Sequence, residues 1–209
     1  MSPALFHLVV ALVAFAAMAA EATGIDATVR DASGKPIPDA VVYAIPASGA
    51  RPPPAGAAAV MDQIDKEFVP HVLVVQAGTR VKFPNQDNIR HNVYSFSPAK
   101  TFSLELYRGN EAAPVQFDKP GLVVVGCNIH DFMLGYIVVV DTPHFAKTAA
   151  DGVGRLRGLA PGAHELRAWH PRMEQAADSV TRNVTVPGAG TLAAQFALAL
   201  KPEAKKKSR

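Results

Sequence analysis

Between residues 24 and 200 the chain is divided into short apolar runs separated by Gly, Pro, Asn and Asp, and no long stretch repeats with helical period. That punctuation restricts it to strands, so the expected fold class is all-β. Ile25, Ala27 and Val29 alternate with polar residues, Asp31-Ala32-Ser33-Gly34 reads as a turn, and residues 40–45 form a second apolar run. Together they predict a hairpin with Pro36 and Pro38 in its connection. Residues 46–59 mix Pro46, Gly49, Pro52, Pro53, Pro54 and Gly56 with alanine, have little to bury and read as a linker or boundary. Strands are then expected at 69–75, 79–83, 91–96, 101–107, 114–117, 122–127 and 134–140, a series that indicates an antiparallel β-sandwich. Beyond Asp141-Thr142-Pro143 the pattern continues at 154–159, 164–169, 180–186 and 192–200. In the last run Ala194, Phe196, Leu198 and Leu200 alternate as a half-buried strand does.

Residues 3–20 are almost entirely apolar and are followed by small residues up to Ala22. They predict a secretory signal peptide over 1–20, hence an exported, periplasmic protein with no membrane span after leader removal. No Lys or Arg precedes the run, so a retained anchor is the alternative. The net charge of +3 is concentrated in the basic tail 201–209; without it 16 basic residues face 17 acidic ones. A body so close to neutral gives no reason to expect nucleic acid as a partner.

The chain has one cysteine, in Gly126-Cys127-Asn128-Ile129-His130-Asp131-Phe132-Met133. This run offers a thiolate, an imidazole and a thioether at three-residue intervals. An unpaired thiol in an oxidising compartment needs an explanation, and coordination would protect it. Taken singly, Cys127 could be a small buried hydrophobe, Met133 a gap-filler and either histidine a hydrogen-bonded surface residue. Taken together they form a soft ligand set, and two histidines with one cysteine and a weak axial methionine suit copper in electron transfer. The second histidine has to come from elsewhere in the chain.

Upstream, Val81-Lys82-Phe83-Pro84-Asn85 leads through a short loop to His91-Asn92-Val93. A strand ending in Val-x-Phe-x-Asn, then His-Asn-Val, then Cys-x-x-His-x-x-Met resembles the type 1 blue-copper cupredoxin family over residues 61–143, and the short ligand loop is most like that of amicyanin. The resemblance implies a cupredoxin-like Greek-key β-sandwich holding one type 1 copper on His91, Cys127, His130 and Met133. It also implies that Asn92 and Asn128 tie the two ligand segments together, and that the edge of His130, framed by Phe132 and Leu134, is the electron port. Arg90 and Asp131 stand where the family often has proline, which bears on the reduction potential and on the protonation of His130.

Residues 29–42 and 151–166 resemble the two halves of a small prealbumin-like or carboxypeptidase-regulatory-like β-sandwich. On that resemblance residues 21–60 and 144–200 form one split module into which the domain 61–143 is inserted. The whole chain is similar to methylamine-utilisation-type cupredoxin-like proteins. The expected function is single-electron transfer with a redox protein partner, an amine dehydrogenase or a cytochrome, and not catalysis. His71, His144, His164 and His170 form no His-x-His pair of the kind a second copper centre needs, and there is no Gly-rich phosphate loop. Met61 and Met173 are assigned to packing or surface. The alternatives are a copper storage or delivery module and a non-redox β-sandwich binding or adhesion protein.

Overall fold

The computed structural model describes residues 23–49, 58–174 and 179–202. These residues form strands, turns and bridges, and no helix occurs among them. The expected leader at 1–20 lies outside the described residues, as do 50–57 of the linker and 203–209 of the basic tail.

The first strands are β1 (Gly24–Asp31) and β2 (Val41–Pro46). Next come β3 (Ala58–Val60), β4 (Asp62–Ile64), β5 (Glu67–Val69), β6 (Val72–Gln76) and β7 (Thr79–Lys82). They are followed by β8 (His91–Ser97), β9 (Lys100–Tyr107), β10 (Val115–Phe117), β11 (Gly121–Gly126) and β12 (Leu134–Val140). The remaining strands are β13 (Phe145–Lys147), β14 (Val153–Arg157), β15 (Gly162–Trp169), β16 (Val180–Val186) and β17 (Thr191–Leu198).

One core lies between a five-stranded sheet, order β6-β12-β11-β8-β9, and a three-stranded sheet, order β10-β7-β3. Val93, Val123, Val125, Ile137 and Val139 of the first meet Val81 and Phe117 of the second, with Phe83 and Met61 beside them. A second core lies between β14-β1-β17 and β13-β2-β15-β16, where Ile25, Ala27, Val29, Phe196 and Leu198 meet Val42, Ala44 and Leu166. Met173 is buried in this second core, so Met61 and Met173 both serve packing.

β12 belongs to both cores. Ile137 and Val139 point into the first, and Val138 and Val140 into the second. Successive side chains on a strand point to opposite faces, so an apolar run such as Tyr136-Ile137-Val138-Val139-Val140 fits a strand covered on both sides. The outer face of the five-stranded sheet is thus partly roofed by the second group of sheets, with the Tyr136 and Trp169 rings 5.8 Å apart across the contact.

Two expectations need correction. The predicted hairpin of β1 and β2 does not form: β1 pairs with β14 and β17, whereas β2 pairs with β13 and β15. The buried alternate residues of β1 and β2 face each other across the core, and the proline-bearing connection carries the chain from one sheet to the other. Nor is the pairing wholly antiparallel, because β6–β12, β3–β7 and β1–β17 are parallel. Hairpin neighbours run antiparallel, but strands separated by long excursions are free to re-enter in the same direction.

Candidate metal centre

His91 opens β8, while Cys127, His130 and Met133 lie in the loop from the end of β11 to the start of β12. The β8–β9 register breaks between His91 and Val93, with His91 opposite Tyr107 and Val93 opposite Leu104. A bulge of this kind re-aims side chains locally. Here it allows His91, Asn92 and Val93 to be buried in succession, which regular alternation forbids. The loop is folded by its own backbone, with the His130 N–H donating to Cys127 O at 3.4 Å and the Met133 N–H to His130 O at 2.8 Å. The Asn128 N–H donates to Asn92 Oδ1 at 2.8 Å, tying the loop to β8 as the resemblance implies. Next to the thiol, Gly126 lies against the Tyr94 ring, and a Cβ there would come within 3.1 Å of it.

The structure brings three of the four expected residues together through their donor atoms. His91, Cys127 and His130 each offer one atom within 4.8 Å of the others. Cys127 Sγ lies 3.7 Å from His91 Nδ1 and 3.9 Å from His130 Nδ1. Metal bonds of about 2.3 Å to sulfur and about 2.0 Å to nitrogen, opened to about 120°, would set sulfur and nitrogen about 3.7 Å apart. Both sulfur–nitrogen spacings therefore fit one soft ion shared by the three donors. Met133 is 1% exposed and lies in the same buried cluster as Cys127, with its backbone bonded to His130.

His91 is fully buried, and His130 is partly exposed. Behind His91 lies a polar layer that the sequence reading did not identify. Asp87 Oδ2 is 2.7 Å from His91 Nε2. The same carboxylate accepts the N–H groups of Asp65 at 2.7 Å and Lys66 at 2.9 Å. Burial pushes the Asp87 carboxyl up, but the bonds from His91, Lys66 and Asp65 outweigh it and hold the pKa below the ordinary value. Asn85 shapes the loop between them: its Nδ2 donates to Ile89 O at 2.9 Å and Tyr107 O at 3.0 Å, and its Oδ1 accepts the Asp87 N–H at 3.0 Å. Gln63 Nε2 donates to the Tyr107 hydroxyl at 2.6 Å, and that hydroxyl donates to Phe83 O. Burial pushes the Tyr107 phenol up to about 12.

A carboxylate lies against one of the ligand-type imidazoles, Asp87 on His91. Asn85 carried a signal in the Val-x-Phe-x-Asn pattern. Asp65, Lys66 and Gln63 carried none, since their partners lie about 20 to 45 residues away in the chain and hydrogen bonds at that range have no local sequence period.

No family model matches the chain, and no curated protein matches it. Among solved structures it is similar to a reduced amicyanin mutant at 23% identity and a TM-score of 0.37, over 49% of this chain and 99% of that one. The likeness is to cupredoxins. A purple cupredoxin from Nitrosopumilus maritimus is 20% identical with a TM-score of 0.35, over 40% of this chain and 99% of the other. A Cu-containing nitrite reductase from Thermus scotoductus SA-01 is 27% identical with a TM-score of 0.38; 40% of this chain is covered, and it spans 22% of that enzyme's length.

Proposed function

We propose that the chain is an exported one-electron carrier that holds a single type 1 copper on His91, Cys127, His130 and Met133. The observation that carries this reading is the spacing of Cys127 Sγ from the two Nδ1 atoms, 3.7 and 3.9 Å, in a site with one buried and one partly exposed imidazole. Copper bound there would supply a Cu(I)/Cu(II) couple.

The chain's own part is to hold the donors still. β11, β12 and the Asn92–Asn128 bond fix the loop, the bulge aims His91, and the core around Cys127 and Met133 excludes water. Donors held in one arrangement need little movement when the charge of the ion changes. His130 is the electron port in this reading, because its ring lies 5.8 Å from that of Phe132, and Phe132 and Leu134 expose 56% and 43% of their surface. A small apolar patch of this kind suits the weak, short-lived encounters of redox proteins. The partner would be a redox protein, an amine dehydrogenase or a cytochrome, met in the periplasm. We further propose that β1 and β2 act with residues 144–200 as one split, prealbumin-like module that carries the copper domain as an insertion, supported by the pairing of β1 with β17 and β2 with β15. β3, at the end of the expected 21–60 half, pairs with β7 of the copper domain instead.

Titration of the purified apoprotein with Cu(II) tests this reading. An intense visible thiolate-to-copper band is expected, bleaching on reduction, returning on oxidation and missing in Cys127→Ser. No band with Cys127 reduced overturns the proposal. A copper complex that does not cycle overturns it in favour of storage or delivery.

A further inference from the structure

The two nitrogens of His91 face in opposite directions. Nδ1 lies 3.7 Å from Cys127 Sγ, and Nε2 lies 2.7 Å from Asp87 Oδ2. A carboxylate can only accept, so Nε2 carries the proton and the Nδ1 lone pair points toward the thiol. Asp87 is itself held from the far side. Asp65 and Lys66 form the two-residue turn between β4 and β5, both with left-handed backbones at φ 53° and 61°. This is the hairpin turn whose twist matches its strands, though it usually takes Asn-Gly and not two residues with side chains. In it the two successive N–H groups converge on one carboxylate at 2.7 and 2.9 Å, the kind of concavity in which backbone amides bind an anion. The Asp87 N–H is tied to Asn85 Oδ1, and its side chain is 14% exposed.

We propose that Asp87, seated on the Asp65–Lys66 turn, is the positioning residue of the metal centre. It sets the tautomer and aim of His91 and places a negative charge against that donor, so that the higher oxidation state of the bound ion is favoured. The β4–β5 turn, which supplies no ligand, thereby takes part in setting the reduction potential. The proposal rests on the copper reading above. A residue in this place controls affinity as well as orientation, and losing such a partner costs metal sites about 10- to 100-fold in affinity.

The experiment compares wild type with Asp87→Asn, which keeps the shape and removes the charge. Cu(II) affinity is expected to fall about 10-fold or more relative to Cu(I) affinity. For a one-electron couple each such factor raises the potential by about 59 mV. Asp87→Glu, which restores the charge, is expected to return toward the wild-type potential. If Asp87→Asn fails to fold, Asp87→Ser carries the same expectation. Imidazole nitrogen NMR of the wild-type apoprotein gives a metal-free readout and is expected to show His91 protonated at Nε2. An unchanged potential and affinity ratio in the uncharged variants overturns the proposal even where stability falls, as does an Nδ1-protonated His91 in the apoprotein. Wild-type protein without a cycling blue band defeats the carrier reading instead, so the two failures are distinguishable.

Discussion

Asn92 Oδ1 accepts the Asn128 N–H at 2.8 Å, so a buried side chain at the bulge of β8 holds the loop that presents Cys127 and His130. Truncation leaves a partly buried donor without its partner, which costs about 1–3 kcal/mol. Asn92→Ala is expected to lower the urea midpoint by that equivalent at unchanged m-value, and Asn92→Asp, which keeps the acceptor, to recover most of it.

Gly154 is required by a close approach of sheets. A Cβ there would lie 2.2 Å from Val42 Cγ2, across the second core. Overpacking of this kind costs about 1–3 kcal/mol or more. Gly154→Ala is expected to lower the melting temperature, and the double variant Val42→Ala/Gly154→Ala to be more stable than the two separate effects predict. A coupling of about 0.5–3 kcal/mol is expected from a double-mutant cycle.

Stability falls with acidification through His170. Burial pushes this imidazole from an ordinary 6.5 down to about 4, with Arg172 and His71 acting in the same sense and Asp39 opposing. The folded state resists a proton that the unfolded chain accepts, so this contribution is complete above pH 6.5, is lost as pH falls from 6.5 toward 4, and is constant below that. The loss is about 3 kcal/mol at most. Urea midpoints measured from pH 7 to pH 4 are expected to decline less steeply in His170→Asn than in wild type.

At the proposed electron port, Leu134 is 43% exposed beside Phe132. Leu134→Glu is expected to slow electron exchange with a partner about tenfold, the equivalent of about 1.4 kcal/mol of contact. Stability is expected to change by no more than about 0.5 kcal/mol, as for other surface substitutions. Stopped-flow rates and a urea melt on the same variant check both parts.

Much of this was legible locally. The spacing of Cys127, His130 and Met133 is a property of one loop, and His91-Asn92 follows its own strand signal. Alternation in β17 and the unbroken apolar run of β12 correspond to one-sided and two-sided burial. What was not legible involves distant partners. The β4–β5 hairpin went unread because Asp65-Lys66 is an unusual pair for a turn needing two positive φ values. The bulge at His91 was hidden because it arises from a register mismatch between β8 and β9, not from either strand alone.

By itself, then, the sequence determined which residue types could bind a soft metal and where the longer strands would lie, since both depend on near neighbours and on side-chain alternation. The three-residue strands β3, β4, β5 and β13 carried too little alternation to be read. Only the tertiary structure decided that β1 joins β14 and β17 instead of β2, that β12 is enclosed on both faces, and that Asp87 reaches from the Asp65–Lys66 turn to His91. The physical reason is that a strand's backbone will bond to any neighbouring strand edge. The partner it takes is set by burial summed over the whole chain, which no local window contains.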